Sequence, residues 1–214
     1  SFRQTEDSRY VGLTLPRVLG RMPYGAKTIA VETFGFEETI RENEVGSDYL
    51  WINSAFELAG RIVDSFEETG WCATIRGVEG GGLVKALPAY NYVSESGERL
   101  MQCPTQVTIS DRREKELSEL GFIPLVHCKG TDYAAFFAVQ SVNKPRLYKS
   151  DQANANARLS SQLQYLLATS RFAHYLKSIA RDKVGSFMSR TDCENYLQKW
   201  IMRYVVASDN AGPE

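Results

Sequence analysis

This 214-residue chain has only two histidines and four cysteines, Cys72, Cys103, Cys128 and Cys193, and no two of the cysteines form a CxxC pair. That spacing argues against a zinc knuckle and supplies no disulfide framework, so reduced thiols are expected. Long apolar runs are missing too. Nothing approaches the ~18 to 20 residues that a bilayer-crossing helix needs, and the first residues lack the charge-then-apolar layout of a signal peptide. A cytoplasmic protein without membrane insertion is the expectation. There is no excess of either charge, with 25 Lys and Arg against 26 Asp and Glu. Without a long-range field to gather phosphates or anionic lipid, nucleic acid and membrane surfaces are not expected partners. Low net charge also resists association weakly, which an assembly subunit tolerates. No internal repeat or low-complexity tract marks a linker.

What is present suits a packed core, with 43% hydrophobic and 24% charged residues. The length fits one large domain or two small ones. Ser1 stands where an initiator Met would, and Ser208 to Glu214 reads as a solvated polar tail, so a piece of a longer chain is expected.

The residue patterns predict the elements in turn. Leu13 to Gly25, with Pro16 early and Pro-Tyr-Gly at its end, predicts a short helix, and Glu32 to Gly46 an acidic loop around Glu37, Glu38, Glu42 and Glu44. Ser47 and Asp48 open a predicted helix in which Trp51, Ala55, Leu58, Ile62 and Phe66 recur at helical spacing until Gly70. Cys72 to Val78, Leu83 to Val93 and Arg99 to Ile109 read as strands broken by Gly80-Gly81-Gly82 and by Ser94 to Gly97. Asp111 and Glu114 form a capping-box pattern for a helix of about nine residues ended by Gly121. Phe122 to Cys128 and Tyr133 to Ser141 then suit a hairpin.

After the polar SDQANANA stretch, Leu159, Leu163, Leu166, Ala173, Leu176, Ala180 and Val184 predict a long core helix reaching Gly185. Thr191 and Glu194 make a second capping-box pattern before a helix with Leu197, Trp200, Ile201 and Tyr204 as its stripe. The order predicts an α+β fold, a mixed or antiparallel sheet packed against long helices. Residues 1–46 hold the short helix and acidic loop, and 47–214 the main α+β domain, together one compact unit.

Chemistry is thinly signalled. Gly80-Gly81-Gly82 leads into the strand-like Leu83-Val84-Lys85-Ala86-Leu87 and lacks the Gly-Lys-Ser/Thr and helix of a phosphate loop, so a turn is expected. His127 and His174 lie far apart without HxxxH spacing. No cofactor or metal is predicted. Asp111-Arg112-Arg113-Glu114 and Arg181-Asp182-Lys183 are mixed-sign clusters suited to ion pairs within or between subunits. Trp200 and Tyr204 with Arg203 are either interface anchors or core fillers.

Five runs in order, TLPRVLGRMPYGAKT, GWCATIRGVEGGG, CPTQVTISDRREKELSELGFIPL, NANARLSSQLQYLLATSRFAHYLKSIARDKVGSF and LQKWIMRYV, resemble the TssC/VipB family, the large subunit of the type VI secretion contractile sheath. The resemblance covers nearly the whole chain and points to a C-terminal-half fragment. It implies a structural, non-enzymatic subunit that pairs with a small TssB/VipA-type subunit and with further copies of itself. It also implies stacking around an Hcp tube, a baseplate below, contraction that drives the tube outward, and disassembly by a ClpV-type AAA+ ATPase.

By the same resemblance, Arg190, Asp192, Lys199 and Arg203 are candidate inner-tube contacts. Arg112, Arg113, Glu114 and Glu116, with Arg181, Asp182 and Lys183, are candidate inter-subunit charges. The rival readings are a small α+β enzyme using His127 or His174 with a nearby carboxylate, or a generic protein-binding adaptor.

Overall fold

The computed structural model describes residues 1–25, 28–30, 33, 35–38, 49–93, 97, 99–186 and 189–205. In chain order the elements are β1 (Thr14–Leu15), β2 (Arg17–Leu19), β3 (Trp51–Asn53), α1 (Ala55–Thr69), β4 (Leu83–Val84), β5 (Asn91–Val93), β6 (Arg99–Met101) and α2 (Asp111–Glu119). They continue with β7 (Ile123–His127), β8 (Ala134–Phe136), α3 (Asp151–Leu159), α4 (Leu163–Lys183) and α5 (Arg190–Ile201). The fold is α+β. Its central sheet has the order β1-β7-β8-β4, and β2-β3 and β5-β6 form two-stranded sheets beside it.

The β7–β8 hairpin is the middle of the central sheet. Its register pairs Leu125 with Phe136, Val126 with Ala135 and His127 with Ala134. Both strands are apolar on consecutive residues rather than alternating, because both of their faces are covered; Ile123, Leu125, Ala134, Ala135 and Phe136 have no exposed surface. Val18, Leu58, Ile75, Val84, Leu87 and Val139 pack with them, and Ile52, Ile62, Leu163 and Leu167 close the cluster from outside.

The helix predicted over Leu13 to Gly25 is absent. Thr14–Leu15 instead runs parallel to Ile123-Pro124, the Leu15–Pro16 peptide is cis, and Arg17–Leu19 turns to pair antiparallel with Trp51–Asn53. Non-local strands claim the backbone groups that a helix would have used: Ile123 N–H donates to the Leu13 carbonyl at 2.8 Å and Leu19 N–H to the Pro104 carbonyl at 2.8 Å.

For the same reason α1 starts later than Ser47. Trp51 and Ile52 belong to β3, Ser54 is the N-cap of the new helix, and the Asn53 side chain accepts from Ala55 N–H at 2.8 Å. Ser47 and Asp48, like residues 39–46 of the expected acidic loop, lie outside the described residues. The stop at Gly70 is as predicted, with φ of 73° and its N–H on the Phe66 carbonyl.

The predicted strands shorten. Cys72 to Val78 is a loop that folds back on the sheet, with Ile75 fully buried and Gly77 N–H donating to the Phe136 carbonyl at 2.7 Å. The three-glycine turn is real and sterically required. A Cβ on Gly82 would stand 2.5 Å from the Phe136 carbonyl oxygen, and one on Gly81 would collide with the Thr74 carbonyl. The run predicted over Leu83 to Val93 breaks at Ala86, whose φ is 56°, and its two ends join different sheets. The strand predicted over Arg99 to Ile109 keeps only Arg99–Met101.

Helix boundaries also move. α2 has the predicted length of nine residues, but Ser110 holds the cap position and Glu114 accepts from the Ser118 hydroxyl at 3.0 Å. SDQANANA is helical, forming most of α3, and a break at 160–162 separates it from α4. That break is pinned by the sheet end, since Ser141 N–H reaches the Ser161 carbonyl at 3.0 Å and Leu163 N–H the Val139 carbonyl at 3.0 Å. The capping box of α5 is Ser189 with Asp192 in place of Thr191 with Glu194.

The chain divides into two compact units, Ser1–Arg171 and Phe172–Glu214, the division falling within α4. The core belongs to the first unit; no described residue of the second is buried. The apolar stripe expected to make α4 a core helix is therefore open over much of its length, with Leu176 42% and Val184 82% exposed.

In the first unit, a half-buried ion pair ties residues 21–24 to 35–38. Arg21 donates two parallel bonds to Glu38, at 2.8 and 2.7 Å, and lies 3.7 Å from the centre of the Tyr24 ring. Tyr24 N–H donates to the Glu38 carboxylate and Glu38 N–H to the Tyr24 carbonyl, both at 2.9 Å. The Arg21 bonds hold the Glu38 carboxyl below the usual carboxylate range against the opposing effect of burial, and Glu38 in turn holds the guanidinium pKa up.

Two outcomes are expected in unfolding experiments. Phe136→Ala should cost about 3 to 5 kcal/mol in denaturant unfolding, because Phe136 is fully buried within the apolar cluster and its loss leaves a cavity there. A folded pKa below the unfolded one means that Glu38 stabilises fully above its unfolded pKa and loses that contribution as pH falls through the folded value. The stability advantage over Glu38→Gln should thus be constant above about pH 5 and shrink in more acid solution.

Candidate functional site

The charged clusters sit on helix surfaces. On α2, Glu116 receives Arg112 at 3.2 Å and Arg113 at 3.0 Å, one and the same carboxylate serving two guanidiniums. Arg112 is 91% exposed and Arg113 68%, so each bond is a solvated intrahelical pair worth about 0.3 to 0.5 kcal/mol. Pairs that weak hold the helix little and exchange partners at little cost. Glu114 turns the other way, onto Ser118.

Arg181, Asp182 and Lys183 close α4. Arg181 and Lys183 lie in its last turn, where cations suit the negative end of the helix dipole. Lys183 places its ammonium 4.8 Å from the centre of the Tyr196 ring on α5, while Arg181 and Asp182 are exposed.

On α5, Arg190 pairs with Glu194 at 2.9 Å, one turn along the same helix. Asp192 belongs to the cap: it accepts from the Ser189 hydroxyl at 2.6 Å and from Ser189 N–H at 3.2 Å, and these bonds hold its carboxyl below the usual range. Lys199 is exposed beside a shallow hollow that it shares with Asn195, Gln198 and Met202. Arg203 is exposed in the 3-10 turn Met202–Tyr204.

Trp200 and Tyr204 pack against Phe172 of α4. Trp200 meets Phe172 edge-on at 6.1 Å and Tyr204 at 5.4 Å, and Tyr204 meets Phe172 at 5.1 Å. These edge-to-face contacts fasten α5 to α4. They do so without burying either ring, so the same aromatics still reach solvent.

The two histidines have separate surroundings among the described residues. The His127 Nε2 lies 2.6 Å from the Thr131 carbonyl across the hairpin connection, and the His174 ring stacks on Tyr175 with centroids 6.3 Å apart. Among the described residues, no group of three or more His, Cys, Asp or Glu side chains could hold a metal ion. No helix among them is long and apolar enough to cross a membrane.

Sequence reasoning missed the segment 143–148. It is tied to the chain's start through Asn143, whose buried amide donates to the Ser8 hydroxyl at 2.8 Å and to the Thr5 carbonyl at 3.2 Å. Grooves of about 470 Å³ flank it, one toward Gln4 and Arg9, the other toward Lys115, Asn154 and Arg158. The only local signal was Pro145 among Lys144, Arg146 and Lys149, which reads as an ordinary polar loop.

Comparison with known proteins matches the chain along most of its length to tail sheath proteins. A family model described as EvpB/VC_A0108, tail sheath N-terminal domain, matches residues 1–143. A second, described as the tail sheath gpW/gp25-like domain of the same family, matches residues 152–214. The type VI secretion system sheath protein TssC1 of Pseudomonas aeruginosa is 53% identical over 205 residues, which is 96% of this chain. The chain spans about two fifths, 41%, of that relative's length. With both models running in order along the sequence, and such identity across it, the chain belongs to the EvpB/VC_A0108 tail sheath family, that of VipB and TssC.

Proposed function

We propose that this chain is part of the large, non-enzymatic subunit of a type VI secretion contractile sheath. In that reading the full-length protein works in the cytoplasm, pairs with a small TssB/VipA-type subunit, and stacks with its own copies around an Hcp tube on a baseplate. The sheath contracts to propel the tube, and a ClpV-type AAA+ ATPase dismantles it. The observation that carries the proposal is the 53% identity to a sheath protein across 96% of the chain.

The physical chemistry supports the same reading. Contraction requires rigid bodies that pass between discrete packings without losing their cores. The first unit has its own buried cluster, and the charged groups of α2 lie outside it in exposed pairs that cost little to break. Arg112, Arg113, Glu114 and Glu116, together with Arg181, Asp182 and Lys183, are proposed as charges that change partners between subunits. Arg190, Asp192, Lys199 and Arg203 are proposed as tube contacts. Asp192 already serves the helix cap, so Lys199 and Arg203, exposed and outside the aromatic cluster, are the stronger pair to test.

Co-expression of the full-length protein with a small sheath partner should yield tubules by electron microscopy; a monodisperse, catalytically active monomer would refute the assignment. Lys199→Glu with Arg203→Glu should reduce assembly on the tube while leaving unfolding within about 0.5 kcal/mol, as for other surface changes. Unaltered assembly would remove these two residues from the tube surface.

A further inference from the structure

Two apolar helix faces stand open among the described residues, and they carry opposite charge. On α1, Phe56, Val63 and Phe66 are 69%, 62% and 43% exposed, and their spacing puts them on one side of the helix, next to the buried side made by Leu58 and Ile62. The helix bears Glu57, Asp64, Glu67 and Glu68 against Arg61 alone, Asp64 already holds Arg61 at 2.6 Å, and the Arg171 guanidinium lies over the Phe66 ring at 5.1 Å, leaving Phe56 and Val63 as the open part of the face. Glu67 and Glu68 occupy the last turn, the negative end of the helix dipole, where acids weaken a helix. Local stability does not account for them.

On α4, Ala173, Leu176, Ala180 and Val184 recur every three or four residues along an exposed strip. The two alanines leave low ground between the larger side chains, the relief into which the ridge of another helix can pack. Lys177 and Arg181, each one residue after Leu176 and Ala180, edge this strip and are exposed. α5 covers a different side, through Phe172 and Tyr175.

We propose that the α1 face of one copy receives the α4 strip of a second copy, with Phe56 and Val63 on the alanine ground and Glu67 and Glu68 facing Lys177 and Arg181. The proposal rests on the reading that copies of this chain assemble. It adds the pairing: two different faces of the same chain, which makes the contact heterologous. A heterologous contact whose rotation does not close propagates as an open helical polymer, whereas two like faces would stop at a dimer. Opposite charges around apolar centres fix which faces meet.

The test uses charge exchange in the full-length protein co-expressed with a small sheath partner, with tubules measured by sedimentation and electron microscopy. One variant carries Glu67→Lys with Glu68→Lys, the other Lys177→Glu with Arg181→Glu. Each alone should lower sedimenting tubules by about tenfold, because every contact then sets like charges together. Both variants expressed together, on separate chains, should restore tubules to within about twofold, because each α1 face finds an α4 strip of opposite charge. Assembly by either variant at the unmodified level overturns the pairing. So does rescue only when all four changes sit on one chain, which would place the contact within a copy. If a reversed variant does not fold by circular dichroism, the glutamine forms at the same positions take its place, with an expected loss of about threefold. An unmodified protein that forms no polymer sinks the assembly reading itself, a result distinct from selective failure of the variants.

Discussion

The pairing of β7 with β8 is the interaction on which the rest of the first unit depends. Five residues with no exposed surface lie on these two strands, and the other strands of the central sheet and the glycine loop are attached to them by backbone. β1 joins through Ile123, β4 through Ala134 and Ala135, and the glycine loop through the Phe136 carbonyl. The start of α4 is fixed by the Val139 carbonyl just beyond β8. Buried backbone polar groups must be bonded, so a hairpin buried on both faces dictates where its neighbours end as well as where they lie.

That arrangement separates two kinds of interaction. Those that hold the core of the first unit together are apolar, central and costly to disturb. Those displayed on α2, on the second half of α4 and on α5 are exposed ion pairs, capping bonds and ring contacts of small individual worth. The division suits the proposed sheath role, in which a subunit keeps its interior while its outer contacts are exchanged.

The second unit is organised differently. It has no buried residue among those described, and its helices meet through Phe172, Tyr175, Trp200 and Tyr204. Such a helix pair retains much apolar surface in water, and surface of that kind is found where proteins meet other proteins. The stripe on α4 is apolar at helical spacing whether a core or a neighbouring molecule covers it, so periodicity alone could not separate the two cases.

By itself the sequence determined the α+β class, the β7–β8 hairpin, the length of α2, and the stops at Gly70, Gly121 and Gly185. These follow from local chemistry: unbroken apolar strands, and glycines at positive φ where other residues would be strained. The charged residues of α2, α4 and α5 could also be read as surface from their types and spacing. Only tertiary structure decided that Thr14–Leu19 is extended rather than helical, that Trp51 lies in a strand, and that α3 and α4 are separate. In each case a distant partner, Ile123, Leu19 or Ser141, supplies the deciding hydrogen bonds or strand pairing, and no window of neighbouring residues contains it. Burial of the α4 stripe was likewise a question of what else is close in space, which only the folded chain could answer.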